Sequence, residues 1–118
     1  MTASSRVHAH EERQERIDRW ELSLHARRLK STDGELLRLS NAQFSLLIAM
    51  LGAPQRVLSR DQLIGLSRLY TDEVYDRSVD AQVARLRRKI ESDPRNPHYI
   101  PTERGAGYCF AVSVHALL

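Results

Sequence analysis

Basic and amide side chains are concentrated between residues 76 and 91, a stretch that contains no glycine or proline. Arginine and lysine hold DNA phosphates, arginine also pairs bidentately with guanine, and glutamine pairs with adenine. The residues here that could do this chemistry are Arg77, Ser78, Gln82, Arg85, Arg87, Arg88 and Lys89. Residues 77–89 contain five basic residues and one acidic residue, a net charge of +4, whereas the whole chain carries only +3, so the positive charge is concentrated in this segment. We interpret it as a nucleic-acid-binding element, although cations in the last turn of a helix are also typical of solvated surface.

The spacing of apolar residues predicts that this segment is a helix over 76–91. Val79, Val83, Leu86 and Ile90 recur at intervals of four, three and four, which gives one buried face. Asp76 is suited to be the N-cap. Ala81 and Ala84 fall on the opposite face, where small side chains would let the helix enter a major groove.

Two capped helices are predicted before the basic one. Ser40 and Gln43 form a capping box that opens a helical apolar stripe, which Gly52 and Pro54 end. The same pattern returns at Ser59 and opens a shorter helix. Residues 67–75 then break helical periodicity, and this connection is longer than the turn of a simple helix-turn-helix. The sequence therefore predicts a three-helix unit.

Strand-like patterns lie on both sides of this unit. From residue 18 apolar residues alternate with polar ones, and an Asp-Gly turn at 33–34 predicts a small antiparallel sheet. Residues 98–112 form two β-like runs around a glycine-containing tip, which predicts a hairpin. Arg104 at this tip would reach a minor groove or a phosphate, or would be an ordinary turn charge. We expect residues 1–17 to be a flexible tail or linker remnant, 18–113 to be the domain, and 114–118 to be a C-terminal tail.

Several classes of protein are disfavoured by composition. The chain has no apolar run of the roughly 20 residues that a membrane span needs, and its start does not look like a secretory signal. Its one cysteine, Cys109, cannot form an internal disulfide and alternates within a strand, which favours packing over nucleophilic catalysis. No metal-ligand or catalytic constellation can be assembled by spacing. We therefore expect a cytoplasmic protein that is not an enzyme and needs no cofactor or metal.

Four motifs resemble the effector domain of OmpR/PhoB-type response regulators. Leu39–Leu47 resembles that family's Leu-Thr-x-x-Glu-Phe-x-Leu-Leu, and Arg56–Leu63 its Arg-Val-Leu-Ser-Arg-x-x-Leu. Arg77–Asp80 with Arg85–Ile90 is similar to Arg-x-Val-Asp and Arg-Leu-Arg-Arg-Lys-Leu, and Ile100–Tyr108 to Ile-x-Thr-Val-Arg-Gly-x-Gly-Tyr. The motifs occur in the family's order and cover about residues 19–112.

The resemblance implies an α+β fold, a winged helix-turn-helix with an N-terminal antiparallel sheet, three helices and a C-terminal β-hairpin wing. It implies a sequence-specific DNA-binding transcriptional regulator of a two-component phosphorelay, with helix 76–91 in the major groove and the 98–112 hairpin as wing. The family's DNA contacts correspond to Arg77, Ser78, Gln82, Arg85, Arg87, Thr102, Arg104 and Tyr108. The 67–75 loop corresponds to the segment that meets RNA polymerase, and its candidates are Arg68, Tyr70, Asp72 and Glu73.

The resemblance also implies partners. Such domains bind double-stranded DNA, usually as head-to-tail dimers on tandem direct repeats. No receiver domain is present in these 118 residues. The chain is therefore expected to be a fragment of a longer regulator or a stand-alone effector, and its linker-like start favours a fragment.

Departures from the family pattern leave an alternative open. Gln82 stands where many members have histidine, Ala84 replaces a frequently basic residue, and Glu103 adds a negative charge beside the wing. The family's common Val-Trp-Gly is replaced by Leu66-Ser67-Arg68, and this departure weakens the expectation of a polymerase contact. The alternative is a winged-helix protein-interaction module with weak or vestigial DNA binding. The operator, the genes, the sensor kinase and the direction of regulation do not follow from the sequence.

Overall fold

The computed structural model of the chain describes residues 14–69 and 79–117, which belong to two units. The first comprises residues up to Arg38 together with the segment from Ser113 onwards, and the second comprises Leu39–Val112.

The first unit is an antiparallel five-stranded sheet. Its strands are β1 (Gln14–Ile17), β2 (Trp20–Ser23), β3 (Arg28–Ser31), β4 (Leu36–Arg38) and β8 (His115–Leu117), in the order β4-β3-β2-β1-β8. The alternation predicted from Trp20 is confirmed in β2, where Trp20 and Leu22 are buried and Glu21 and Ser23 are half-buried. The predicted turn before β4 is also present, with Gly34 at a φ of +93°.

Both predicted tails were wrong where they enter this sheet. Gln14–Ile17 pairs along its length with β2, and His115–Leu117 pairs with Gln14–Arg16. The polar composition of residues 14–16 resembles a linker, but backbone hydrogen bonds to neighbouring strands do not depend on side-chain polarity. The turn from β1 to β2 has Asp18 at a φ of +53°, a conformation that aspartate tolerates better than most residues.

The second unit contains three helices in the described residues: α1 (Asn41–Leu51), α2 (Arg60–Ser67) and α3 (Val79–Ile90). Both predicted capping boxes are formed, with the serines at 40 and 59 each accepting from the backbone of the glutamine three residues later. α1 is buried on nearly all sides and contacts both other helices. The predicted stripe of α3 forms its buried face, since Val79, Val83 and Leu86 are fully buried and Ile90 is 2% exposed.

A three-stranded antiparallel sheet completes this unit. Its strands are β5 (Val57–Leu58), β6 (Thr102–Glu103) and β7 (Gly107–Cys109), in the order β5-β7-β6. β6 and β7 form the predicted hairpin, although its paired strands are shorter than the 98–112 range. Tyr99, Ile100 and Phe110 are buried next to the hairpin strands in sequence. The predicted N-cap Asp76 and most of the 67–75 connection lie outside the described residues.

Candidate nucleic-acid interface

The side of α3 opposite its buried stripe carries two of the predicted cations, Arg85 and Arg88. We call Ala81, Ala84, Arg85 and Arg88 the outer face of α3. Ala81, Arg85 and Arg88 are exposed, and Ala84 is half-exposed. The face therefore combines two exposed guanidinium groups with two methyl side chains that leave the helix backbone accessible. The predicted contacts Arg77 and Ser78, which precede this helix, lie outside the described residues.

Gln82 flanks the outer face and is half-exposed. Its Oε1 is buried and has no hydrogen-bond partner among the described residues. A bidentate pair with adenine needs both the oxygen and the nitrogen of the amide. Gln82 would therefore have to rotate its amide outwards before it could read a base.

Arg87 leaves α3 on a different side and contacts the hairpin. Its Nε and Nη2 donate to the Ile100 carbonyl at 2.8 and 2.5 Å, and Nη2 also donates to Thr102 Oγ1 at 2.7 Å. The guanidinium carbon lies 5.3 Å from the centroid of the Tyr108 ring, within cation–π range. Arg87 thus attaches the helix to the hairpin, and its bonds differ from those expected of a side chain pointing freely outwards.

Lys89 is also engaged within the domain. Its Nζ donates to Gln43 Oε1 at 2.6 Å, and that oxygen belongs to the capping box at the start of α1. The side chain is half-buried rather than fully outward. Of the predicted cations of α3, Arg85 and Arg88 are therefore the ones that the structure leaves exposed.

Asp80 is joined to two other elements. Its Oδ1 accepts from Arg60 Nε at 2.9 Å and from the Tyr108 hydroxyl. We call Arg60, Asp80 and Tyr108 the Asp80 network; it links α2, α3 and β7. Hydrogen bonds from Arg60 and Tyr108 lower the pKa of the Asp80 carboxyl. Burial, followed by the bond to Asp80, raises the pKa of the Tyr108 hydroxyl.

The hairpin presents Arg104 at its tip. Arg104 is exposed, and Gly105 beside it has a φ of +72°, which favours glycine. Thr102 and Glu103 are also exposed. Tyr108, in contrast, is 7% exposed, with its hydroxyl on Asp80 and its ring beside Arg87. Among the predicted hairpin contacts, Arg104 is the exposed cation, whereas Thr102 and Tyr108 bond to side chains of α3.

Glu91 organises the segment that leads into the hairpin, a role that sequence reasoning did not assign. Its carboxylate is buried and accepts from three consecutive backbone amides, those of His98, Tyr99 and Ile100, at 2.7 to 3.1 Å. A buried carboxylate needs such donors to replace water. This bond set fixes where the chain turns back after α3.

Sequence reasoning also missed Arg60 and Asp80. One signal was available for Asp80: it lies seven residues before Arg87, so both project from the same side of α3. A carboxylate among cations on that side indicates an internal partner. Arg60 carried no comparable signal, because its contact with Asp80 joins residues 20 apart and depends on how α2 packs.

The candidate polymerase-contact residues are only partly described. Arg68 follows α2 and is exposed, as is Leu69, which is 74% exposed. Tyr70, Asp72 and Glu73 lie outside the described residues. Within residues 14–69 and 79–117, no cluster of histidine, cysteine and acidic side chains could hold a metal, and no helix is long and apolar enough to cross a bilayer.

The sequence of the chain matches known transcriptional regulators. Residues 34–110 match the model of the family described as "Transcriptional regulatory protein, C terminal". The chain is 50% identical over 95 residues to the regulatory protein VirG of Agrobacterium fabrum, covering 80% of this chain and 38% of VirG. VirG of Rhizobium rhizogenes is 49% identical over 96 residues, 81% of this chain and 40% of that protein. The chain thus spans about two fifths of the length of these relatives.

Solved structures of DNA-binding domains also resemble this chain. The DNA-binding domain of Escherichia coli CadC superposes with a TM-score of 0.73 at 26% identity, covering 86% of this chain and 94% of that one. The Klebsiella pneumoniae RstA DNA-binding domain, solved in complex with the RstA box, gives 0.71 at 31% identity, covering 83% and 96%. The chain belongs to the transcriptional regulatory protein C-terminal family, the winged-helix DNA-binding effector domains of OmpR/PhoB-type response regulators.

Proposed function

We propose that this domain recognises a specific double-stranded DNA sequence, with the outer face of α3 in the major groove and the β6–β7 hairpin as a wing beside it. The observation that carries the proposal is the exposure of Arg85 and Arg88 on one face with Ala81 and Ala84. Small residues let a helix approach the base edges closely, and cations on the same face supply phosphate and guanine contacts.

Each exposed group has a separate role in this proposal. Arg85, near the middle of α3, reads a base, and Arg88, one turn later, holds a phosphate. Gln82 pairs with adenine once its amide has rotated. Arg104 reaches the backbone or the minor groove from the tip of the hairpin. Arg77 and Ser78 remain proposed contacts from the start of the recognition segment.

Four of the residues predicted to contact DNA have a supporting role in this proposal. Arg87, Lys89, Thr102 and Tyr108 bond to other side chains or to the backbone of the domain. Their contribution to DNA binding is to hold α3 and the hairpin in place. Any direct contact with DNA would be added to these bonds or would replace them.

The proposal extends to partners. RstA was solved with the RstA box, which supports duplex DNA as the ligand of this chain as well. We propose binding as head-to-tail dimers on tandem direct repeats, and contact of the α2–α3 connection, including Arg68, with RNA polymerase. A domain that binds chromosomal DNA acts in the bacterial cytoplasm, and its role is binding rather than catalysis.

Selection of bound sequences from a random duplex pool tests this function. We expect an enriched motif that occurs twice in the same orientation. With about four to six phosphate contacts, log affinity for the selected duplex should fall with log salt at a slope of roughly −4 to −5. If no motif is enriched even at low salt, the domain is instead a protein-interaction module.

A further inference from the structure

Tyr108 and Asp80 form a contact whose consequence goes beyond the assignment of DNA-contacting residues. The Tyr108 ring is buried, and its hydroxyl donates to Asp80 Oδ1, the oxygen that also accepts from Arg60. Asp80 and Arg60 are themselves about half exposed, at 54% and 55% of their side chains. The hydroxyl therefore already has a hydrogen-bond partner, a carboxylate at the edge of the proposed interface.

We propose that Asp80 is a positioning residue that sets the angle between the hairpin and α3, and that Tyr108 affects DNA binding through Asp80 rather than by touching the duplex. This inference rests on the proposed function. It reassigns the Tyr108 hydroxyl from DNA contact to support of the wing.

The hairpin is bonded to two residues of α3. Arg87 bonds to Ile100 and Thr102 at the β6 end, and Asp80 bonds to Tyr108 on β7. Asp80 and Arg87 are seven residues apart, which is about 10 Å along a helix axis. On the hairpin, the bonded residues Thr102 and Tyr108 are a directly opposed pair of β6 and β7, so α3 holds one cross-strand pair from two of its turns.

The hairpin also faces the start of α2. A groove of about 370 Å³ lies between the start of α2 and the hairpin, and it is lined by Ser59, Arg60, Asp61, Thr102, Glu103, Gly105, Ala106, Gly107 and Tyr108. On this side the hairpin is held by the pairing of β7 with β5. The bond from Tyr108 to Asp80 adds a side-chain restraint directed towards α3.

The charge of Asp80 supports the same role. It is the acidic residue of α3, one position before the outer face, where a bare carboxylate would repel DNA phosphates. The Arg60 guanidinium offsets that charge, and the hydroxyl of Tyr108 uses one of its lone pairs. The carboxylate is thereby tolerated near a polyanion while it holds the hairpin.

A double-mutant cycle on the selected duplex tests the inference. Tyr108→Phe removes the hydroxyl but keeps the ring beside Arg87. We expect Tyr108→Phe to weaken binding about fivefold in the wild-type background, the effect of one hydrogen bond, and to cause no further loss in the Asp80→Ala background, where the acceptor is already absent. An equal loss from Tyr108→Phe in both backgrounds would mean that the hydroxyl touches DNA, and no loss at all would mean that it restrains nothing. Either result overturns the inference.

Hydrogen exchange without DNA gives an independent readout that a direct DNA contact would not change. The backbone amides of residues 103–107 should exchange several-fold faster in Tyr108→Phe than in the wild type, with β2 and β3 as internal controls. Unchanged exchange would contradict the inference even if Asp80→Ala failed to fold. Failure of the wild type to select any duplex would refute the proposed function instead, and this exchange experiment would still decide the role of Tyr108.

Discussion

Gly107 lies against the backbone of Leu58 so closely that a Cβ built on it would be 1.9 Å from the Leu58 carbonyl oxygen. The same Cβ would also lie 2.9 Å from the Cα of Ser59, and Gly107 has a φ of +139°. Only a residue without a side chain fits between β7 and the start of α2. The second glycine of the Gly-Ala-Gly tip therefore seats the hairpin on the helical unit.

Gly107→Ala should destabilise the domain by about 3 kcal/mol, because the clash is with backbone atoms that cannot move aside cheaply. Gly105→Ala is the matched control: Gly105 has a φ of +72° but nothing within 4 Å of an added Cβ, so its cost is about 1 kcal/mol of conformational strain. The free energy of unfolding in urea measures both. Equal losses from the two substitutions would contradict the close approach seen at Gly107.

Glu91→Ala should lower the free energy of unfolding by about 3 kcal/mol, because it leaves three backbone amides of residues 98–100 without their acceptor. Glu91→Gln should fall between the wild type and Glu91→Ala, since one amide oxygen remains as an acceptor. Thermal or urea unfolding measures these differences. The exposed Glu35 provides the control, and Glu35→Ala should change stability by about 0.5 kcal/mol or less. A Glu91→Ala effect no larger than this control would contradict the assigned role.

Asp80 should make stability depend on acid pH. Arg60 and Tyr108 lower the pKa of its carboxyl below the usual 3.8, so the folded state binds this proton less readily than the unfolded state does. The stabilisation is therefore complete above the usual pKa and is lost as pH falls through the lower folded value. The difference in unfolding free energy between the wild type and Asp80→Asn should shrink between pH 7 and pH 3. A difference that stays constant or grows in acid would rule out this linkage.

The sequence was sufficient for the helical unit because its signals are local. Capping boxes at Ser40 and Ser59 and the four-residue stripe of α3 each specify their own helix, and all are present. The order of the motifs then allowed the family and the wing to be recognised. Such signals need only residues within about one or two helical turns of each other.

Long-range pairing could not be predicted in the same way. β1 and β8 come from opposite ends of the chain, and neither has a composition that distinguishes an ordered strand from a tail. The same reason explains why the partners of Arg87 and Tyr108 within the domain were not predicted. Only the position of the hairpin shows that Arg87 bonds to Ile100 and that Tyr108 bonds to Asp80.

Arg85→Ala should weaken binding to the selected duplex by about 1–3 kcal/mol and relax preference at one base pair, if this exposed arginine reads a base. Arg88→Ala should weaken binding to selected and random duplexes alike and reduce the salt slope by about one. Arg28→Ala removes an exposed arginine from β3 and should change little. Fluorescence anisotropy at several salt concentrations separates these cases. Equal losses from Arg85→Ala on both duplexes would reassign Arg85 to phosphate contact.

The outer face of α3 and the tip of the hairpin should meet the same duplex in adjacent grooves. Cleavage of the selected DNA by iron–EDTA tethered to a single cysteine, at position 85 in one variant and at 104 in another, tests it most directly. The buried Cys109 is first replaced by serine so that only the new thiol is labelled. We predict major-groove cleavage from position 85 and cleavage in the neighbouring minor groove from position 104. Cleavage from only one position, or at sites far apart on the duplex, would contradict the account.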